Sequence, residues 1–313
     1  MSASARDLFG RSGSEPATPG SYGEPPRGYR LPDATRLGPV QLQVGDLARS
    51  LPWYEGILGL EVLERGATTA VLGTHGERRT LAVLHQNPAA RASHPRARLG
   101  LYHYAILLPH RAALGRFLRH VGETGERVGA GDHLVSEAFY LHDPDGLGIE
   151  VYADRPRETW RRVGRELMIA TDPVDVESVL AEAGDGTWMG MPGGTVIGHV
   201  HLHVGDLGAA DAFYAQGLGL DRTTWSYPGA LFLGAGGYHH HLGTNTWAGP
   251  GAEPPAADDA RLLEWTVQVP AALDVAAVER SLVLGGHVTE RTSPQAIVAR
   301  DPWGTAVRVE AVE

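Results

Sequence analysis

The chain repeats itself. Residues 37–62 (LGPVQLQVGDLARSLPWYEGILGLEV) and 197–222 (IGHVHLHVGDLGAADAFYAQGLGLDR) share the skeleton G-x-V-x-L-x-V-G-D-L, then an aromatic-Tyr pair, then L-G-L. A second pair of copies, 99–109 (LGLYHYAILLP) and 261–270 (RLLEWTVQVP), leads each time to an Asp-Pro-x-Gly turn, at Asp143 and at Asp301. An internal repeat fixes the architecture before any single residue does, because each copy is one structural unit. With 313 residues there is enough chain for two domains of ordinary size, each with its own core.

Each copy reads the same way. Val40, Leu42 and Val44 alternate with other residues at period two, as do Val200, Leu202 and Val204. One face of such a strand meets a core and the other meets whatever the sheet encloses. A Gly-Asp then starts a helix, with Asp46 and Asp206 as N-caps. The helix stops at a glycine signal, Gly217 and Gly219 in the third copy. Three short strands with Gly-rich turns follow. The pattern predicts an α+β fold of four βαβββ modules at about 37–87, 99–154, 196–247 and 261–313. Modules one and two then occupy 37–154, and modules three and four occupy 196–313. Residues 155–195 are expected to link the halves, with a short helix around 174–183. The stretch AGPGAEPPAADDA (248–260) reads as a linker by composition. Residues 1–34, rich in Gly, Pro, Ser and Arg, are expected to form a disordered tail.

Composition narrows the partners. The net charge of -10 argues against nucleic acid or anionic membrane. The chain has no cysteine, which excludes disulfides, thiolate zinc sites and cysteine nucleophiles and fits a reducing cytoplasm. No apolar run approaches the ~18 residues that span a bilayer, and the first residues lack the basic and apolar regions of a signal peptide. A cytoplasmic protein is expected, and assembly into a homo-oligomer is left open.

The modules resemble those of the vicinal oxygen chelate superfamily, the glyoxalase, bleomycin resistance and extradiol dioxygenase proteins. There, paired modules curl into a cup around one metal ion. Within it the chain is most similar to four-module, catechol-2,3-dioxygenase-type enzymes. The phrases YHYAILLP (102–109), GDHLVSEAFYLHDPDGLGIEVYADRPR (131–157) and GYHHHLGTNTWAG (237–249) carry that likeness.

The resemblance implies a non-haem Fe(II) centre of two histidines and one carboxylate, which leaves adjacent positions free for substrate and dioxygen. Mn(II) suits the same donors. One His opens the first strand of one module, the second opens that of its partner, and the Glu ends the partner's last strand. The matching residues are His199, His103 and Glu150. A lone strand histidine is more often a packed residue than a ligand; matched placement in three strands is what singles these out. Module one has Pro39 where module three has His199. Module four has Glu264 in place of His103 and Arg308 in place of Glu150. Only modules two and three together hold the set, so these two are expected to pair as a metal cup, with one and four as a metal-free cap. The competing arrangement is a site in the C-terminal half, using His199 with His239, His240 or His241 and Glu264 or Glu310.

Period two puts His201 and His203 on the face of His199, and puts His240 on the side opposite His239 and His241. By resemblance His240, second of a His-His pair, is the acid–base residue. Tyr140, ten residues before Glu150, matches a tyrosine that hydrogen-bonds substrate, and His133 matches a supporting histidine. Asn245, Trp247 and Tyr104 are candidates for shaping the pocket. The implied reaction is cleavage of a catechol ring beside its two hydroxyls by dioxygen. The alternatives are a glyoxalase-like metal-dependent lyase or isomerase, which uses four protein ligands, and a non-catalytic resistance protein that sequesters small molecules.

Overall fold

A computed structural model of the chain describes residues 4, 8–9, 13–93 and 98–312. Module one contains β2 (Arg36–Val44), α1 (Leu47–Gly56), β3 (Glu61–Arg65), β4 (Thr69–Gly73) and β5 (Thr80–Gln86), after a two-residue β1 (Glu15–Pro16). Module two contains β6 (Gly100–Leu107), α2 (Arg111–Thr124), β7 (Gly129–Asp132), β8 (Ser136–His142) and β9 (Gly148–Asp154). The connection holds β10 (Arg161–Val163), β11 (Glu166–Leu167) and α3 (Val176–Glu182). Module three contains β12 (Val196–His203), α4 (Leu207–Ala210), β13 (Asp221–Thr224), β14 (Ala230–Gly234) and β15 (Leu242–Asn245). Module four contains β16 (Arg261–Val269), α5 (Ala272–Leu284), β17 (Thr289–Ser293), β18 (Ala296–Arg300) and β19 (Ala306–Ala311).

The helix starts follow the sequence chemistry. Asp46 accepts from the Ala48 amide and Asp206 from the Ala209 amide, so both begin a helix by satisfying free N–H groups. The helix of module three tightens only briefly as an α-helix; residues Asp211–Gly217 wind as a π-helix.

The strands form two eight-stranded sheets. One runs β13-β14-β15-β12-β6-β9-β8-β7 and the other β17-β18-β19-β16-β2-β5-β4-β3. Modules two and three thus share one sheet, and modules one and four the other. In each, two modules join edge to edge through their first strands, antiparallel, while first and last strands within a module run parallel. Val40, Leu42, Ile106, Val200, Leu202 and Val267 are buried in one core between the sheets, where β12 packs on β2 and β6 on β16. Each such side chain contributes about 1.5–3 kcal/mol by leaving water. The alternate residues, among them Pro39, Gln41, His199 and His201, are left for the inner face of each sheet.

Two repeat motifs meet across the sheets. The Tyr54 hydroxyl of module one donates to Asp143 of module two at 2.9 Å, and Tyr214 of module three donates to Asp301 of module four at 2.8 Å. Each aspartate also takes two turn amides on its other oxygen. Both pairs are buried.

The tail expectation needs correcting over residues 13–34. β1 pairs with β10, Glu24 bridges to Arg222, and the Leu31 amide donates to the Gly219 carbonyl. Tyr22 and Leu31 are buried. Low hydrophobicity did not prevent order, because the arm borrows strand edges and apolar surface from modules two and three.

Candidate metal centre

His199, Glu150 and His103 come from three adjacent strands. Register sets Tyr140 opposite Glu150, Glu150 beside Ala105, and Ala105 opposite His199. Ala105 is small, so the space between His199 and Glu150 stays open; His103 enters it two residues away on the same strand. Two bulges adjust the seam. Between β12 and β6 the register skips Gly198, and it skips Tyr102 after the His201–His103 pair. A Cβ at Gly198 would lie 1.8 Å from the Tyr152 hydroxyl, so only glycine fits beside the ligand strand. The second bulge frees Tyr102 from strand alternation, and it lines the cavity together with His103.

The Glu150 Oε2 oxygen lies 3.0 Å from His103 Nε2 and 3.2 Å from His199 Nε2. One ligand atom from each residue falls within 4.8 Å of the others, the only such group of three among the described residues. All three are buried. Burial pushes both histidines below their usual range, so they are neutral, while Glu150, which burial alone would raise, is held well below the carboxylate range by the two imidazoles. Neutral imidazoles beside an ionised carboxylate are the protonation states a cation requires of its ligands. Glu150 Oε1 and His199 Nδ1 are buried without a hydrogen-bond partner among the described residues. An ionised carboxylate so placed is costly unless a cation compensates it. The donor set therefore fits a divalent metal.

The three side chains line a cavity of about 180 Å³ with Tyr102, His133, Tyr140, His201, His240 and Trp247, and further walls from Ile169, Thr171, Tyr227 and Phe232. His240 packs on His199 with ring centroids 4.2 Å apart. Burial, followed by the neighbouring histidines, holds it well below the usual imidazole range. His133 Nδ1 donates to the Ala170 carbonyl at 2.7 Å, which leaves Nε2 as an acceptor for the Tyr140 hydroxyl. Burial and then Glu150 push Tyr140 well above its usual range, so its proton stays on.

The other expectations divide. His201 lines the cavity against His103 and Trp247, and a Cβ on Gly243 would come within 2.9 Å of its ring. His203 instead bonds Asn245 Oδ1 through Nδ1 at 2.6 Å, and neither residue lines the cavity. Tyr104 is buried in the core between the sheets, away from the pocket. Residues 239–241 precede β15 and are not in a strand, so alternation does not govern them. His240 lines the cavity, His239 bonds Asp154, and His241 accepts from the Ala235 amide. Glu264 and Glu310 lie in the other sheet, away from His199. Ile169, Thr171, Tyr227 and Phe232 had no sequence signal; the first two come from a segment that reads as a linker.

Residues 36–151 match the Glyoxalase/Bleomycin resistance protein/Dioxygenase superfamily. The chain is 45% identical over 262 residues to a catechol-2,3-dioxygenase of Bacillus subtilis (strain 168), covering 82% of this chain and 91% of the relative. Among solved structures, a candidate dioxygenase from Bacillus subtilis subsp. subtilis str. 168 superposes with a TM-score of 0.61 at 12% identity, covering 91% of this chain and 86% of that one. Glyoxalase I from Zea mays superposes at 0.51 and 16% identity, over 89% and 92%. The two structures share the vicinal oxygen chelate fold with this chain.

Proposed function

The chain belongs to the Glyoxalase/Bleomycin resistance protein/Dioxygenase superfamily, and from that premise we propose that it is an extradiol ring-cleaving dioxygenase. Its substrates are a catechol-type ring and dioxygen, and His103, His199 and Glu150 hold an Fe(II) ion. The observation that carries the reading is the convergence of these three buried donors, with no second carboxylate among the described residues, on a cavity lined with spare histidines. A glyoxalase-like site would call for a fourth protein ligand. The relative named for catechol cleavage points the same way.

When bound, the metal would acidify the catechol hydroxyls and template ring and dioxygen together. The rest falls to the protein. His240, neutral and packed on His199, takes the proton of one hydroxyl and later returns it. Tyr140 keeps its proton and donates it as a hydrogen bond to His133 Nε2, so its oxygen is free to accept from the second hydroxyl. His133 is locked in that role by Ala170. Tyr102, Tyr227, Phe232 and Trp247 offer aromatic faces to a flat ring and exclude water.

The test is aerobic incubation of Fe(II)-loaded protein with several catechols under ascorbate, following dioxygen uptake and the yellow ring-opened product. Metal-replete protein that consumes no dioxygen with any of them would sink the reading. Metal analysis of untagged protein separates a plain binder, which would hold far less than one ion per chain.

A further inference from the structure

We infer that Asp154 and His239 are positioning residues that fix which nitrogen of His240 carries its proton, leaving Nε2 as the bare nitrogen on the cavity side. The inference rests on the reading of His240 as the proton-transfer residue.

The geometry forms a line of three side chains. Asp154 Oδ1 lies 2.9 Å from His239 Nε2, and His239 Nδ1 lies 2.7 Å from His240 Nδ1. An ionised carboxylate only accepts, so Nε2 of His239 carries the hydrogen. Taken with a single N–H, His239 has its Nδ1 left as a lone pair. The only donor that can face it is Nδ1–H of His240. The single proton of His240 is thereby spent on the side away from the cavity, and Nε2, with no partner among the described residues, is left bare. A substrate hydroxyl proton then moves to Nε2, giving an imidazolium that holds protons on both nitrogens, with Nδ1–H still bonded to His239. The negative charge of Asp154 stands behind it, two bonds away.

The line is built into the fold. Glu150, Tyr152 and Asp154 follow one another at period two on β9, so the strand that supplies the metal carboxylate also supplies the anchor of the relay. Tyr238 donates to the same Asp154 oxygen at 3.2 Å and takes a hydrogen bond of 2.7 Å from Tyr152. Arg157 lies over the Tyr238 ring. His239 is wholly buried against Trp160 and Tyr238, so its ring cannot swing away. Two histidines in sequence would otherwise be free to exchange tautomers; here a carboxylate at one end decides both.

Neutron diffraction of deuterium-exchanged crystals of the metal-loaded chain reads the protons directly. Deuterium is expected on His239 Nε2 and His240 Nδ1, and none on His240 Nε2; deuterium on His240 Nε2 overturns the inference. Kinetics give a second reading. Asp154→Ala should lower kcat by roughly 10–100-fold, part of the range an acid–base residue supplies, with KM for catechol and metal content unchanged. Asp154→Asn keeps an accepting oxygen and should recover most of that loss. Tyr238→Phe removes the other bond to Asp154 and should leave kcat near the parent value. Unchanged kcat in Asp154→Ala, or an equal loss in Tyr238→Phe, overturns the relay. Should the parent protein cleave no catechol, the proposed reaction fails, while the deuterium positions still decide the relay by themselves.

Discussion

The two eight-stranded sheets are near copies in topology and opposites in charge. In one, His201 faces His103 across the module seam; at the same register of the other, Gln41 faces Glu264. Beside Ala105 of the first stands Glu150, and beside Thr266 of the second stands Arg308. Glu150 has no arginine or lysine as ion-pair partner among the described residues, only the imidazoles of His103 and His199, and keeps one buried oxygen without a hydrogen-bond partner. Glu264 is already answered: Arg308 bonds both of its oxygens, at 2.7 and 3.3 Å, and Gln41 donates to one at 2.9 Å, with His85 behind it. A guanidinium never gives up its charge, so the second sheet carries its own counter-cation as a side chain. The first leaves that place to something from outside. On the proposed reading, one scaffold serves as a cup or as a cap according to the residues at three matched positions, His199, His103 and Glu150 against Pro39, Glu264 and Arg308.

That contrast can be broken most sharply at the carboxylates. Glu150→Ala and His199→Ala should each strip the metal and lower ring cleavage by at least ~10³-fold, whereas Glu264→Ala should retain both; metal content and dioxygen uptake, measured together, decide it. Loss of metal in Glu264→Ala would reverse the roles of the sheets. His240→Ala should keep its metal and lose about 10²–10⁴-fold in kcat, the share of an acid–base group.

Smaller effects test the cap. Arg308→Ala leaves Glu264, only 12% exposed, without its cation and should cost about 1–3 kcal/mol of stability, read as a lower denaturant midpoint, with catalysis unchanged. Tyr54→Phe and Tyr214→Phe should each cost about 1–3 kcal/mol, since a buried carboxyl loses a donor. The two bridges share no partner, so their costs should add.

The smallest effect is a pH dependence. Burial raises Asp143 from 3.8 to about 6. A carboxyl held above its unfolded value contributes stability that is fully present below the unfolded pKa and is lost as pH rises through the folded one. Stability from this group should therefore fall between about pH 4 and pH 6, and Asp143→Asn should remove that slope from the melting temperatures. A parent protein with no excess slope over the variant would show that Asp143 is ionised at little cost.

Legibility in the sequence followed distance along the chain. The strand–helix–strand order, the caps at Asp46 and Asp206 and the inward phase of Val40, Leu42 and Leu202 are set by near neighbours and could be read directly. His103, Glu150 and His199 stood out through their likeness to the dioxygenase-type motif, and Glu264, Arg308 and Pro39 in the other copies pointed to the module pairing. Tyr102 escaped, because a bulge suspends alternation and the sequence does not announce it. Ile169 and Thr171 escaped because a connection between modules carries no periodicity, and Asp154 because its partner lies 85 residues away. The ordered arm at residues 13–34 was misread for a related reason: its composition describes the segment, and its order belongs to the surface it lies on.

By itself the sequence determined the repeating unit and which copies differ in ionisable residues, since periodicity and residue identity are local properties. Only the tertiary structure decided which strand edges meet. Edge pairing depends on burying faces against elements far along the chain, and the convergence of two imidazoles on one carboxylate exists only once β12 lies against β6.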